Sequence, residues 1–205
     1  AFKAILDLKN KHAVDLISML SWSFEFEDKD YFEGFRDLAT NGIDKPILNL
    51  FRMLGLMNGT RVETTSTAAV RLDTLLTTGV RGSADVDAMA TKGEHQAAVL
   101  IWNYHDSEEP APGVPVSLTI AGIPSGIGRV LVQHFRIDDT HSNAYTVWKQ
   151  MGSPQHPTAE QYAQLKHSAG LQLLDAPEWA DVRERTVKIE TEMPRESVSL
   201  ITLQW

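Results

Sequence analysis

Between Ser21 and Gly34 the chain reads S-W-S-F-E-F-E-D-K-D-Y-F-E-G, alternating aromatic rings with carboxylates directly after the apolar run V-D-L-I-S-M-L at Val14 to Leu20. This pairing of residue types has a definite chemistry. A sugar ring presents one face of C–H groups, which stacks on an aromatic plane, and an edge of hydroxyls, which needs hydrogen-bond acceptors. Carboxylates accept such bonds strongly. Trp22, followed by Glu25, Glu27 and Asp28, supplies both. The competing reading is that Trp22 and Phe24 are core residues and the acids form a solvated loop, as exposed acids commonly do.

Other residues invite sharper chemistry and fit it less well. His134 and His141 flank R-I-D-D-T at Arg136 to Thr140, so a metal could pair them with Asp138 or Asp139. No close His-x-x-x-His or Cys spacing supports that, and a hydrogen-bonded interface loop explains the same residues. Gly126-Ile127-Gly128 lacks the third glycine and the following helix of a dinucleotide loop, and reads as a turn between strands. Ser125 sits in P-S-G-I-G rather than G-x-S-x-G, so no nucleophile elbow is indicated. Trp102, Tyr104, Trp148, Trp179 and Trp205 could form a sugar-binding strip, although such aromatics more often fill a sandwich core or its seam. The acids of Asp106 to Glu109 read as a solvated turn.

These residues must be held by elements of two textures. Phe2 to Lys11 has apolar residues at 2, 5, 6 and 8, a helical face. Val14 to Trp22 has little alternation, as expected of a strand buried on both faces of a parallel sheet. Its C-terminal end would carry Trp22, and ligands of an eight-stranded α/β barrel bind at such ends. Asp44 and Pro46 suit a helix entrance. Ile47, Leu50, Phe51 and Leu54 would form that helix's inner stripe, and Asn58-Gly59 would stop it. Beyond Gly59 the texture is β. Strands are predicted over Val86–Ala90, Ala97–Tyr104, Val116–Ile120, Val130–Ile137, Arg185–Glu192 and Val198–Trp205, separated by turn clusters, a pattern that suggests an antiparallel sandwich. One helical insert is expected at Pro157 to His167.

Composition bounds the function. The chain has 205 residues, 42% hydrophobic and 22% charged, enough to bury a real core. Its formal charge of −8 argues against nucleic acid and anionic membrane surfaces as partners. No apolar run is long enough to cross a membrane as a helix. With no cysteine there is no disulfide or thiolate chemistry. The opening A-F-K-A-I-L-D-L-K-N-K-H reads as the middle of a helix rather than a signal peptide, so an upstream segment is expected.

S-W-S-F-E-F-E-D together with Y-F-E-G-F-R-D-L-A-T-N-G-I-D-K-P-I-L-N-L-F-R-M-L-G-L-M resembles the last strand, loop and helix of family 39 glycoside hydrolases, in particular the bacterial β-xylosidases. V-L-I-W-N-Y-H at Val99 to His105, R-I-D-D-T-H-S-N-A-Y-T-V-W-K at Arg136 to Lys149 and M-G-S-P-Q-H-P-T at Met151 to Thr158 are similar to that family's C-terminal β-sandwich. The resemblance implies a fold of class α/β plus all-β: a C-terminal remnant of a (β/α)8 TIM barrel over residues 1–58, then an antiparallel β-sandwich with a small helical insert over 59–205. It implies a retaining glycosidase that releases xylose from the non-reducing ends of xylo-oligosaccharides, with no metal or organic cofactor.

A retaining mechanism needs two carboxyls about 5–5.5 Å apart. The resemblance puts both glutamates upstream, so no catalytic residue is assigned in this chain. What it carries over is a sugar subsite. Trp22 would stack under the xylose, and Glu27, Glu25 and Asp28 would bind its hydroxyls. Phe26, or Phe24, would wall off the space where a hexose carries its extra carbon. The implied partners are the xylo-oligosaccharide and the upstream barrel half, on the same or a separate chain, with a possible homo-oligomer; a soluble bacterial protein of cytoplasm or periplasm is expected. A non-catalytic carbohydrate-binding or scaffolding sandwich module is the alternative of a different class. An α-L-iduronidase is the alternative within the family, disfavoured by an acidic strand end where a carboxylate substrate would want Arg or Lys.

Overall fold

The computed structural model describes residues 2–16, 24–26, 29–34, 37–107 and 109–205. Along the chain, α1 (Phe2–His12) is followed by the short hairpin β1 (Ala39–Thr40) and β2 (Ile43–Asp44), then α2 (Pro46–Leu56), β3 (Thr60–Val62) and α3 (Leu72–Thr77). The β-rich part contains β4 (Asp85–Lys92), β5 (Gln96–Tyr104), β6 (Val114–Ala121) and β7 (Arg129–Ile137). It continues with α4 (Ala144–Gln150), α5 (Ala159–Ala169), β8 (Gln172–Leu173), β9 (Glu178–Asp181), β10 (Thr186–Met193) and β11 (Ser197–Gln204).

Strands β5 and β11 explain the architecture. They pair antiparallel, with Ile201 opposite Val99 and Leu203 opposite Ala97, at the middle of a sheet ordered β3-β4-β5-β11-β7-β8, with β9 also on β7. Side chains alternate between faces along a strand, and here both faces are apolar. Val99, Ile101, Ile201 and Leu203, with Val130 and Val132 of β7, point to one core, closed by Val187 and Met193 and by Val116, Leu118, Ile120 and Ile189 of the two-stranded β6–β10 sheet. Ala98, Leu100, Leu200 and Ile137 point the other way, onto Leu50, Met53, Leu54 and Met57 in and just after α2. The large sheet therefore lies between α2 and β6–β10. Leu200, Ile201 and Leu203 are fully buried, each contributing about 1.5–3 kcal/mol of burial. Burial on both sides is why an antiparallel strand such as β5, A-A-V-L-I-W at Ala97 to Trp102, reads almost continuously apolar.

Several expectations need correction. α2 begins at Pro46 and ends before Gly59 as expected, but its inward face is Asn49, Leu50, Met53 and Leu54; Ile47 and Phe51 are 43% and 40% exposed. The sheet that α2 packs against decides the face, and the apolar spacing by itself leaves two stripes. Val14–Leu16 forms no strand: Ala13 has φ +50° and the Val14 N–H closes the helix end on Lys9 O at 3.0 Å. Residues 17–22 of the expected strand lie outside the described residues. The helical insert is two helices, since Asn143 caps α4 by accepting from Thr146 N. Thr158 and Gln161 form a reciprocal capping box at α5. Asp106 is not merely solvated: its Oδ2 accepts from Val80 N at 2.8 Å. Gly59, at φ +93°, could carry no side chain, because a Cβ there would meet Lys92 O at 2.1 Å.

Candidate functional site

Of the sequence-derived sugar subsite, Glu25 and Phe26 fall among the described residues, with Phe24 before them. Trp22, Glu27 and Asp28 lie outside them. Phe24 and Phe26 are exposed, at 57% and 37%, and flank Glu25. The backbone here is held from the far side: Phe24 O accepts from Leu38 N at 2.8 Å and Ala39 N at 2.9 Å.

The β1–β2 hairpin is the support. Its two-residue loop is Asn41-Gly42, with φ of +48° and +75°, the doubly positive turn that Asn-Gly sequences favour. Four polar groups of that turn are used. The Glu25 carboxylate accepts from Gly42 N at 2.8 Å. Asn41 Nδ2 donates to Lys29 O at 3.1 Å, the Tyr162 hydroxyl donates to Asn41 O at 3.2 Å, and Lys166 Nζ donates to Gly42 O at 2.7 Å. The turn thus joins the aromatic–acidic loop to α5.

A second set of contacts fixes the loop's other limb. Phe32 N donates to Thr40 Oγ1 at 2.8 Å and Tyr31 N to Gln155 Oε1 at 2.7 Å. The Phe32 ring stacks obliquely on Trp148 at 5.0 Å and edge-on to Tyr145 at 5.5 Å. Phe32 and Trp148 belong to a cluster around buried Ile43, Ala144, Leu165 and Ala169. Lys45 is ion-paired with Asp37, whose side chain is 2% exposed, and also donates to Glu33 O at 3.0 Å. Burial, with Tyr162 and Glu25 nearby, pushes the Tyr31 phenol above its ordinary range. These supports were missed in the sequence; the Asn41-Gly42 dipeptide was the signal that would have found the hairpin.

The other candidates are scattered or structural. His134 Nε2 meets Ser199 Oγ at 2.8 Å, and Arg136 Nε donates to the same oxygen at 2.7 Å. Asp138 instead gathers Thr140 N at 2.7 Å, His141 N at 2.8 Å and His141 Nδ1 at 3.0 Å. Burial opposes the charge of Asp138, yet those hydrogen bonds outweigh it and hold the carboxyl below its ordinary range. Burial, then the Arg136 charge, lowers His134 to about 4. No group of three or more His, Asp or Glu placed to hold a metal occurs among the described residues, and no helix among them is long and apolar enough to cross a membrane. The aromatic strip does not form as one surface. Trp148 is buried, Trp102 Nε1 donates to Asp85 at 2.8 Å, Trp205 packs on the inter-sheet core, and Trp179 is 56% exposed.

The family model for glycosyl hydrolases family 39 matches residues 4–173. The chain belongs to that family. Its sequence is 29% identical over 60% of its length to the α-L-iduronidase of Mus musculus, and 25% identical over 83% to a β-xylosidase of Caldicellulosiruptor saccharolyticus. It spans 19% and 32% of those proteins respectively. Its fold is similar to the monomeric β-xylosidase of Caulobacter crescentus, with a TM-score of 0.70 at 20% identity over 98% of this chain and 40% of that one.

Proposed function

We propose that this chain is part of a retaining β-xylosidase, providing sugar-binding residues and an accessory β-sandwich rather than the catalytic glutamate pair. Residues 1–58 would complete a (β/α)8 barrel contributed by the rest of the protein, and residues 59–205 would be the sandwich. The observation that carries the reading is the braced loop: Phe24 and Phe26 expose their rings on either side of Glu25, on a backbone tied to a hairpin and to α5. Exposed rings on a rigid support suit the C–H face of a sugar, and carboxylates on the same loop suit its hydroxyls.

A second reading, α-L-iduronidase, is supported by the 29% and 32% identities to the mouse and human enzymes of that name. A uronate substrate would call for a cation beside the loop. Two lysines beside the loop's supports are committed elsewhere, Lys45 to buried Asp37 and Lys166 to Gly42 O, which favours a neutral sugar.

The test is hydrolysis by the full-length protein, its intact mass known, of an aryl β-xyloside and an aryl α-L-iduronide. Cleavage of the xyloside is expected, lost in Trp22→Ala and Glu27→Ala far more than in changes at His134 or His141. Cleavage of the iduronide alone overturns the xylosidase reading. Phe26→Ala is expected to raise glucoside hydrolysis relative to xyloside; an unchanged ratio removes Phe26 as the hexose wall.

A further inference from the structure

The sheet face beyond the end of α2 carries a second surface suited to carbohydrate. Strand β9 pairs with β7, placing Trp179 opposite Leu131 and Asp181 opposite Arg129. Leu131 is in turn opposite Gln204 of β11, and Gln204 opposite Gln96 of β5. Opposed residues share a face, so Gln96, Gln204, Leu131 and Trp179 form one row across four strands, about 14 Å long at strand spacing. Trp179 ends it, 56% exposed. Arg129 lies over its ring at 5.8 Å and reaches Asp181 at 3.5 Å.

At the other end the row runs into a cleft of about 360 Å³ bounded by Asn58, the Gly93–His95 turn, Gln204 and Trp205. Gln96 Nε2 is fixed on Leu56 O at 2.9 Å, and Trp205 N on His95 O at 3.1 Å. The surface is thus an exposed indole, amide groups that both donate and accept, and a grooved end.

We propose that this row and cleft bind an uncharged polysaccharide chain, with Trp179 stacking on one sugar ring and Gln204 bonding hydroxyls of the next. The observation that selects the ligand is charge. In a chain of net charge −8, the row itself is neutral, its amides uncharged and Arg129 matched by Asp181, and Glu94 is the one carboxylate lining the cleft among the described residues. A hydroxyl-rich neutral polymer is complementary to that surface. An anionic glycan would need unmatched cations. A row spanning four strands has room for several rings, more than a single-residue subsite. The site goes beyond the proposed hydrolysis: it holds substrate polymer away from the loop of Glu25 and Phe26, whichever glycoside is cleaved there.

The experiment is native gel electrophoresis of the full-length protein through neutral arabinoxylan, with size-exclusion chromatography of each variant. Retardation is expected, weakened about tenfold or more in Trp179→Ala, as for a truncated stacking anchor, largely kept in Trp179→Tyr, and weakened in Gln204→Ala. Hydrolysis of a one-ring aryl xyloside is expected to be unchanged in Trp179→Ala. Equal retardation of wild type and Trp179→Ala, or none at all, overturns the proposal. So does retardation by dermatan sulfate alone, and so does a smaller assembly in Trp179→Ala, which would assign the face to a second copy of the chain. Loss of arabinoxylan binding in Trp179→Ala, in a protein that cleaves no xyloside, would uphold this site and remove the xylosidase reading.

Discussion

The Glu25 carboxylate accepts a 2.8 Å hydrogen bond from the backbone N–H of Gly42, so an acid of the candidate sugar loop also closes the Asn41-Gly42 turn. Glu25→Ala is expected to lower stability by about 1 kcal/mol, the net worth of such a bond, in a urea titration. Glu25→Gln keeps an acceptor and should retain most of that stability. Any larger fall in kcat/KM for the xyloside in Glu25→Gln would then report the charge itself.

Gly42 tests the turn from the other side. Its φ is +75°, and a Cβ there would approach the Tyr162 hydroxyl to 3.0 Å. Gly42→Ala should cost about 1–2 kcal/mol from the left-handed backbone alone. A stability equal to wild type would mean that the turn is not held in this conformation.

Asn49 joins α2 to the helical insert. It is fully buried, and its Nδ2 donates to Ser142 O at 2.9 Å and Ala169 O at 2.8 Å. Asn49→Leu removes both bonds and leaves two carbonyls without a donor, with an expected loss of about 3 kcal/mol. The check is the urea midpoint, together with faster hydrogen exchange in α4 and α5. An unaltered midpoint would show that the insert docks through its apolar cluster alone.

Lys3 ties α1 to the sheet through Asp85 and Asp87, each at 2.8 Å, and through Val70 O at 2.9 Å. Burial opposes its charge, but the two carboxylates outweigh burial and raise its pKa. Lys3→Met leaves two largely buried carboxylates without their cation, a change of about 3 kcal/mol. Amide exchange in α1 should accelerate and Trp102 fluorescence should shift, because Trp102 shares Asp85 with Lys3.

His134 gives the fold an acid-sensitive point. Its pKa is about 4 in the folded protein, lowered by burial, then by Arg136, with His141 adding and Asp175 opposing. In the unfolded chain it returns to about 6.5. Between these values the unfolded state binds the extra proton, so stability is full above pH 6.5 and falls as pH drops toward 4, by up to about 3 kcal/mol. His134→Gln should flatten that limb of the stability–pH curve. An unchanged limb would assign it to groups other than His134.

Much of this fold was legible locally. The six longer strands of the β-rich part follow from apolar runs broken by Gly, Pro and acidic turns, and Pro46 and Thr158 mark helix starts. α4 was hidden because A-Y-T-V-W-K-Q is rich in aromatic and β-branched residues of weak helix propensity; burial of Ala144 and Trp148 and the Asn143 cap override that preference. Glu25 and Phe26 were legible as residue types for binding sugar, and their bracing by Gly42, Tyr162 and Lys166 was not, since those partners are distant in sequence.

By itself the sequence determined the β-rich class, the family, and the aromatic–acidic character of the loop, because composition, alternation and long continuous motifs are local properties. Only the tertiary structure decided which stripe of α2 turns inward, that both faces of the β5–β11 pair are covered, and that Trp179 stands exposed while Trp148 is enclosed. Each depends on which surfaces meet, and a side chain's burial is set by the partners that long-range packing brings to it rather than by its neighbours along the chain.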